Sequence, residues 1–295
     1  MQENDQGVLK VRWGVEQRLE FIEFRLYWEG GINRADIISQ FGVSVPQASK
    51  DLSLYDKKAP GNLVYDKSER RYLASENFRT VFLKPDADRY LTQLRTIADR
   101  TVTTQETWLS AAPMVDSTPI PHRRVDVDVL RSILEATRKN RALRIRYQSM
   151  NAIRPEPTWR WISPHAFGND GLRWHVRAYC HLGGTFKDFI LSRCLDAKDD
   201  AEAGASCDQD IHWNEVFSVV LKPNPKLSDE QQKVIAQDYS MTNRRVIVPV
   251  RKALLYYFQK RLRLDVGSTL DNLRETPVIV SNHEAFDAAL AEVAA

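Results

Sequence analysis

The sequence predicts a multidomain α+β protein with an N-terminal winged helix-turn-helix, a central small β-barrel and a C-terminal α+β domain. Three observations carry this prediction. Two short helical patterns joined by a glycine-containing turn precede a basic hairpin pattern within the first 80 residues. Short strand patterns then follow one another closely over residues 142–195, and strand and helix patterns alternate after residue 216.

The N-terminal segment has the spacing of a helix-turn-helix. Apolar periodicity predicts a first helix over residues 16–28. Asn33 can cap a second helix over residues 34–40, and Ser44 can cap a third helix over residues 45–56. The short connection between the second and third helices is typical of motifs that place a helix in the major groove of DNA.

A basic hairpin pattern follows the third predicted helix and resembles a DNA-contacting wing. Glutamine can pair with adenine edges, lysine can bind guanine or phosphate, and basic residues at a hairpin tip can contact phosphates. The predicted DNA contacts are Gln47, Ser49, Lys50, Ser53, Lys67, Arg70 and Arg71. A helical bundle with a structural hairpin would share part of this pattern, but the order of turn, cap, helix and basic hairpin favours a DNA-binding domain over residues 1–80.

Residues 81–121 are predicted to be a helical linker or dimerisation region. The helical pattern over residues 85–100 has apolar residues on one face, and three prolines follow in the segment AAPMVDSTPIPHRR. Such a helix can bridge two subunits or pack within its own chain, and the sequence leaves both possibilities open.

Residues 122–205 are predicted to form the barrel. A helical pattern over residues 126–140 precedes four strand patterns, over residues 142–149, 159–165, 173–181 and 186–195. One helix followed by several short antiparallel strands is typical of a small β-barrel. Residues 206–295, in which strands and helices alternate, are predicted to form the C-terminal α+β domain.

The stretch LRWHVRAYCHL, residues 172–182, separates into two faces when it is read as a strand. The apolar face carries Trp174, Val176, Ala178, Cys180 and Leu182, and the polar face carries Arg173, His175, Arg177, Tyr179 and His181. A row of cationic and hydrogen-bonding groups can bind an anion, although a solvated face with surface ion pairs would have the same pattern.

Charge is distributed unevenly along the chain. The formal net charge is only +3, yet residues 122–194 contain about 14 Lys and Arg against about 6 Asp and Glu. Residues 195–238 are acidic instead. The basic excess coincides with the polar strand face, which favours an anionic partner such as a nucleic acid or nucleotide.

The sequence lacks the patterns of common enzyme and membrane classes. It contains no HExxH, HxxxH, GxxxxGK[ST] or GxGxxG motif, and no apolar run long enough to span a bilayer. Cys180 points away from His175 and His181 on a strand, so a zinc site there is disfavoured. We therefore expect a cytoplasmic non-enzyme without cofactor, metal or membrane. The alternative is a nucleic-acid-processing enzyme or single-strand-binding subunit that uses the basic barrel, with Lys187 and Asp188 as the nearest nuclease residues.

Four segments together resemble the WYL-domain transcriptional regulators of bacteria. They are ISPHAFG at 162–168, RWHVRAYC at 173–180, FKDFILSRC at 186–194 and VIVPVRKALLYYFQKRLRLD at 246–265. The family's Trp-Tyr-Leu triplet corresponds to Trp174, His175 and Val176, so only the tryptophan is kept. The chain is most similar to the repressors of phage-defence islands that accompany BREX or CBASS systems.

This resemblance implies a fold, a function and a set of binding residues. The barrel would be Sm-like and would sense a nucleic acid or nucleotide effector. The ligand-binding residues would be Tyr147, Ser149, His165, Arg173, Arg177, Tyr179 and Arg193. Strand alternation allows Tyr147 and Ser149 to reach this pocket only at the barrel rim. The whole protein would be a homodimeric repressor of a phage-defence operon that binds an inverted-repeat operator in double-stranded DNA.

Overall fold

The computed structural model describes residues 4–150, 155–266 and 273–294, with the side chains of residues 14–150, 155–266 and 273–293. The chain divides into two compact units, Met1–Pro119 and Ile120–Ala295. The first unit contains α1 (Asn4–Glu29), β1 (Gly31–Ile32), α2 (Arg34–Phe41), α3 (Val45–Lys58), β2 (Leu63–Asp66), β3 (Arg71–Ala74) and α4 (Ala87–Ala98).

The first unit has the winged helix-turn-helix architecture that the sequence predicts. Its three strands form an antiparallel sheet in the order β1-β3-β2, in which β2 and β3 are the predicted hairpin. The first helix is longer than predicted and begins at Asn4 instead of Glu16. Gly7 and Gly14 do not end it, since a glycine inside a helix costs only about 1 kcal/mol relative to alanine.

Local capping fixes the turn between α2 and α3. The Asn33 side chain accepts from the Asp36 amide, and the Asp36 side chain accepts from the Asn33 amide in return. Gly42 ends α2 in the left-handed region, with φ of 62°. Ser44 then caps α3, and Pro46 lies in the first turn, where its missing N–H leaves no helical bond unmade.

The core of the first unit joins α1, α2 and α3. Phe21, Ile37 and Tyr55 are fully buried there. Ala35 is exposed, because α2 turns Ile37 inward instead.

Helix α4 packs within its own chain. Tyr90 stacks on Trp28 of α1 with ring centroids 4.6 Å apart, and Leu94 is buried beside Phe24. Leu91, on another face of the helix, is exposed. The helix therefore packs against α1 of its own chain through Tyr90 and Leu94.

The second unit contains a five-stranded sheet followed by a smaller three-stranded sheet. Its elements are α5 (Val127–Lys139), β4 (Arg141–Tyr147), β5 (Thr158–Asn169), β6 (Trp174–Cys180), β7 (Thr185–Ile190), β8 (Cys194–Glu202), α6 (Ile211–Asn214), β9 (Val216–Pro223), α7 (Asp229–Asp238), β10 (Val246–Arg251), α8 (Leu255–Arg261), β11 (Val278–Val280) and α9 (His283–Ala294). Helix α5 packs on the larger sheet through Val129, Ile133 and Ala136. Val127 and Leu134 of the same helix are exposed.

The predicted barrel is an open sheet in the residues that the structure describes. Its strand order is β7-β6-β5-β4-β8, and β7 and β8 form no pairs with each other. Only Leu191–Arg193 connects these two edge strands. If the five strands lay flat, β7 and β8 would be about 19 Å apart. The three-residue connection is too short to span that distance. The sheet must therefore curl so that β7 and β8 approach each other, although they do not pair by hydrogen bonds.

The smaller sheet has the order β10-β9-β11, and all its pairs are antiparallel. Val219 and Leu221 of β9 are buried with Leu255 of α8 and Phe286 of α9. The alternation of strands and helices predicted for this part of the chain is therefore present.

Candidate functional site

The solvent-facing side of α3 is the candidate DNA-reading surface. Lys50 and Ser53 are exposed, and Gln47 and Ser49 are half-buried. The Ser53 hydroxyl donates to the Ser49 carbonyl at 3.0 Å. The Lys50 ammonium is exposed and forms no hydrogen bond or ion pair with the described residues. Lys50 is thus the predicted contact that is most available to a base or phosphate.

The Gln47 side chain already forms a hydrogen bond within the chain. Its Nε2 donates to Oδ1 of the buried Asp51 at 2.9 Å. The Arg18 guanidinium of α1 pairs with the same carboxylate, with Nε 2.7 Å from Oδ2. A bidentate contact of Gln47 with adenine would require the bond to Asp51 to break, whereas the Arg18–Asp51 pair would go on bracing α3 against α1.

A second brace joins α3 to the segment that follows the hairpin. The Glu23 carboxylate is fully buried and accepts from the Tyr55 hydroxyl at 3.0 Å. It also accepts from the backbone amides of Val81, Phe82 and Leu83. Burial raises the pKa of the Tyr55 hydroxyl well above its usual value, and Glu23 raises it further, so Tyr55 remains a donor.

The hairpin tip presents two of its three predicted basic residues to solvent. Lys67 and Arg70 are exposed, and Arg70 adopts a left-handed turn conformation with φ of 53°. Arg71 is half-buried and its Nε lies 4.0 Å from a Glu69 carboxylate oxygen. Lys67 and Arg70 are therefore better placed than Arg71 for phosphate contact.

The polar face of β6 is covered by carboxylates from the same unit. Arg177 is only 4% exposed and Asp210 only 1%. The Arg177 Nε and Nη2 atoms donate to the two Asp210 oxygens at 2.7 and 3.0 Å. Burial works to raise the pKa of Asp210, but the bonds from His165 and Arg177 outweigh it, and the pKa lies well below its usual range.

A β-bulge brings His165 to the same carboxylate. The pairing of β5 with β6 shifts between Pro164 and Ala166, so His165 is the extra residue of β5. Bulges redirect side chains, and here the His165 Nε2 lies 2.9 Å from Asp210 Oδ2. Strand alternation alone would not have grouped His165 with Arg177.

Asp188 completes the environment of Arg177. Its Oδ1 accepts from Arg177 Nη1 at 3.3 Å, and its Oδ2 accepts from the Tyr257 hydroxyl of α8 at 3.0 Å. Burial first, and then the charge of Asp188, raise the pKa of Tyr257 above its usual value. Asp188, the nearest nuclease candidate in the sequence, is therefore engaged in a hydrogen-bond network that joins β7 to β6 and α8.

Arg173 and His175 form a separate cluster at the start of β6. The Asp170 carboxylate accepts from Arg173 Nε at 2.8 Å and lies 3.1 Å from His175 Nε2. Burial opposes ionisation, but bonds from Leu172, Arg173 and His175 lower the pKa of Asp170 to about 2.

Tyr147 and Arg193 lie apart from Arg177. Tyr147 is buried in the core of the large sheet, packs on Phe189 at 5.1 Å and accepts from the Ile190 amide. Burial raises the pKa of the Tyr147 hydroxyl, and the charge of the nearby Arg193 opposes this shift. Ser149 is half-buried just beyond the end of β4. The predicted ligand residues thus fall into several groups rather than one pocket.

Tyr179 lies beside aromatic rings at the far end of β6. Its ring is 5.3 Å from Phe186 and 5.6 Å from His181. Trp174 and Leu182, which the alternation places on the apolar core face, are 55% and 59% exposed because they lie at and beyond the strand ends.

Comparisons with known proteins match all three parts of this architecture. Family models match for the "BrxR transcriptional regulator winged helix-turn-helix domain" over residues 14–96, the "WYL domain" over residues 128–199 and the "BrxR transcriptional regulator, C-terminal dimerization domain" over residues 216–286. A protein of Stenotrophomonas maltophilia named "DNA-binding transcriptional repressor CapW" is 40% identical over 94% of this chain and 93% of its own length. The chain belongs to the CapW repressor family.

Further CapW relatives show the same extent of similarity. A Pseudomonas aeruginosa protein of that name is 40% identical over 90% of this chain and 88% of its own, and an Escherichia coli one is 39% identical over 89% and 87%. The match to a solved structure, "Proteasome accessory factor B/C (PafBC) of Arthrobacter aurescens", covers 96% of this chain and 49% of the PafBC chain. The two chains are 17% identical and superpose with a TM-score of 0.25. The matches to the family models and to the CapW relatives confirm the resemblance to WYL repressors of phage-defence islands.

Sequence reasoning missed Asp210 and Tyr257, which complete the hydrogen-bond network around Arg177 on the polar face of β6. Asp210 lies 33 positions after Arg177 and Tyr257 lies 69 positions after Asp188. Neither has a neighbouring motif that would identify it, and only the acidic balance after residue 195 hinted at internal partners. Among residues 4–150, 155–266 and 273–294, no group of three or more His, Cys, Asp or Glu side chains could hold a metal ion. None of the helices described there is long and apolar enough to cross a membrane.

Proposed function

We propose that this chain is a sequence-specific DNA-binding repressor of a phage-defence operon that acts as a homodimer. The observation that carries the proposal is the exposed Lys50 on a doubly braced α3, next to a hairpin with Lys67 and Arg70 at its tip. The names of the CapW relatives and the match to a dimerization domain support repression and dimerisation. Two copies of the N-terminal DNA-binding domain related by a two-fold axis would require an inverted-repeat operator.

The base-reading residues of the proposal are Gln47, Ser49, Lys50 and Ser53, and the phosphate contacts are Lys67, Arg70 and Arg71. Half or more of protein–DNA hydrogen bonds typically go to phosphates, while base contacts carry the specificity. Lys50→Ala should therefore weaken operator binding by about 1–3 kcal/mol and reduce discrimination against scrambled DNA.

The test is binding of the purified protein to labelled DNA from upstream of its own gene, across a salt series with scrambled competitor. Lys84→Ala is the matched control, because Lys84 is also exposed in the first unit but lies outside α3 and the hairpin. Competitor-resistant binding that Lys50→Ala weakens and Lys84→Ala preserves would support the proposal. Binding that ignores sequence, or equal losses in both variants, would contradict it.

The proposal includes an effector on the WYL domain, a nucleic acid or nucleotide that relieves repression. Its support is the convergence of His165 and Arg177 on one face of the large sheet, with Tyr179 on the same strand. Such an effector can act only by binding the DNA-bound and free forms with different affinity. Operator affinity that stays unchanged at saturating nucleotide and oligonucleotide concentrations would refute this part.

A further inference from the structure

A cleft beside Arg177 has the size and lining of a small-ligand site. It has a volume of about 930 Å³ and is lined by residues of β7, α6, α8 and α9. Ligand pockets commonly measure about 300–1,000 Å³. The aromatic part of the lining comes from Phe186, Tyr256 and Tyr257, whose rings offer flat surfaces to a planar group.

The strongest anion-binding group of the cleft is already occupied by a carboxylate of the same chain. Arg177 directs its Nε and Nη2 atoms at both oxygens of Asp210, which is the paired geometry that guanidinium groups use for carboxylate and phosphate. His165 contributes a third contact to Asp210. An external anion cannot form these bonds until the Asp210 side chain leaves.

We propose that Asp210 is a built-in competitor for the effector, and that a phosphate group displaces it from Arg177 and His165 while a planar base enters the cleft. This inference rests on the proposed effector function and assigns its ligand to the phosphate monoesters of nucleosides. Displacement is favoured because a phosphate offers more acceptor oxygens and more charge than the carboxylate that it replaces.

The position of Asp210 gives its displacement a structural consequence. Asp210 caps α6 by accepting from the Trp213 amide at 3.2 Å. The Trp213 ring lies 5.1 Å from the guanidinium of Arg251, the last residue of β10, which also donates to the Trp213 carbonyl. Asp210 follows the residues matched by the WYL model and precedes those matched by the dimerization model. Its release would therefore disturb the connection between effector site and dimerization domain.

The first test uses the full chain and probes of defined chemistry. Calorimetric titrations with adenosine, adenosine 5′-monophosphate, the dinucleotide ApA without a terminal phosphate and the 5′-phosphorylated pApA separate the contribution of a terminal phosphate monoester from those of the base and the phosphodiester. We expect binding of the two phosphorylated probes only. If pApA binds more tightly than adenosine 5′-monophosphate, the effector is the 5′ end of an oligonucleotide. If the mononucleotide binds equally tightly or more tightly, the effector is a free nucleotide. Equal binding with and without the phosphate, or no binding at all, would overturn the inference.

The second test changes the competitor itself. Asp210→Asn keeps a side-chain oxygen for capping α6 but removes the charge, and should tighten binding of the phosphorylated probe by about tenfold or more. Arg177→Gln should weaken it by at least about tenfold. Asp170→Asn is the matched control, because Asp170 is likewise a buried partner of an arginine at β6 but does not line the cleft. Unchanged or weaker binding in Asp210→Asn would refute the competitor role, and the wild-type titrations decide the question if this variant does not fold.

Operator binding on the same preparations separates this inference from the proposed function. Loss of sequence-specific operator binding in the wild type would contradict the repressor itself. Intact operator binding that the phosphorylated probes leave unchanged would contradict the effector and its coupling through Asp210, but not the repressor itself. Operator affinity that falls with those probes, and that is already lower in unliganded Asp210→Asn, would support both.

Discussion

Removal of the buried Glu23 carboxylate should loosen the connection between α3 and residues 81–83. In the native protein this carboxylate accepts from the Tyr55 hydroxyl at 3.0 Å, and from the amides of Val81, Phe82 and Leu83 at 2.8, 2.7 and 2.6 Å. Glu23→Ala leaves all four donors without their acceptor, and little water can replace it at the buried Tyr55 hydroxyl and Leu83 amide.

The magnitude follows from the number of donors. A buried donor that loses its partner costs about 1–3 kcal/mol, and about 2 kcal/mol for each of the two buried donors, the Tyr55 hydroxyl and the Leu83 amide, gives a destabilisation of about 4 kcal/mol. Glu23→Gln keeps one acceptor oxygen but loses the charge, and bonds to charged groups exceed neutral ones by about 1 kcal/mol each, so we expect about 2–3 kcal/mol.

Hydrogen exchange measured by mass spectrometry is the appropriate assay, because a chain with two compact units does not unfold in one step. In Glu23→Ala the amides of residues 81–83 should exchange about 10³-fold faster, which corresponds to the loss of about 4 kcal/mol. Glu20→Ala is the control on the same helix, since it removes only an exposed pair with Arg89 that is worth at most about 1 kcal/mol. Unchanged protection at residues 81–83 in Glu23→Ala, or equal effects in both variants, would refute the reasoning.

Two further predictions concern the second unit. The pKa of Asp170 lies at about 2 against an ordinary value of 3.8, so its contribution to stability is present above about pH 4 and is lost as the pH falls through about 2. The thermal midpoint should therefore fall over this interval, and less steeply in Asp170→Asn; identical acid profiles would argue against the assignment. Burial raises the pKa of the Cys194 thiol to about 12, whereas Cys207 is exposed. Iodoacetamide at about pH 8 should accordingly label Cys207 in the native protein and Cys194 only after unfolding, and equal labelling rates by mass spectrometry would contradict this.

Local signals predicted the first unit well because its elements are fixed by residues close in sequence. Asn33 and Ser44 mark helix starts through bonds to residues three positions ahead, and both bonds are present. The brace from Glu23 to residues 81–83 spans about 60 positions. No local pattern distinguishes this glutamate from others on the same helix, and its burial becomes apparent only when the helix packs.

The strands of the large sheet were also predictable, but the use of their polar face was not. Alternation correctly separates Val176 and Ala178 from Arg177 on β6. Alternation cannot show whether a polar face is open, because covering it requires partners from elsewhere in the chain. The bulge at His165 adds a second difficulty, since one extra residue redirects a side chain without any change in the hydrophobic pattern.

The pairing of charges within the second unit changes the meaning of its basic segment. Residues 122–194 carry the basic excess, but β8 and the segment after it supply carboxylates that pair with several of these arginines. Arg141 pairs with Asp200 and Glu202, and Arg144 pairs with Asp199. Arg177 is bonded to two aspartates.

A regional charge count therefore overstates the positive field that an approaching anion would meet. Exposed ion pairs of this kind contribute little to stability and exchange partners readily, because solvent screens them. The pair between Arg177 and Asp210 differs because both side chains are buried, and a buried charge that loses its partner is strongly destabilising. An anion that displaces Asp210 must therefore accept the hydrogen bonds that Arg177 now donates to Asp210. This requirement favours ligands whose two acceptor oxygens have the spacing of a carboxylate.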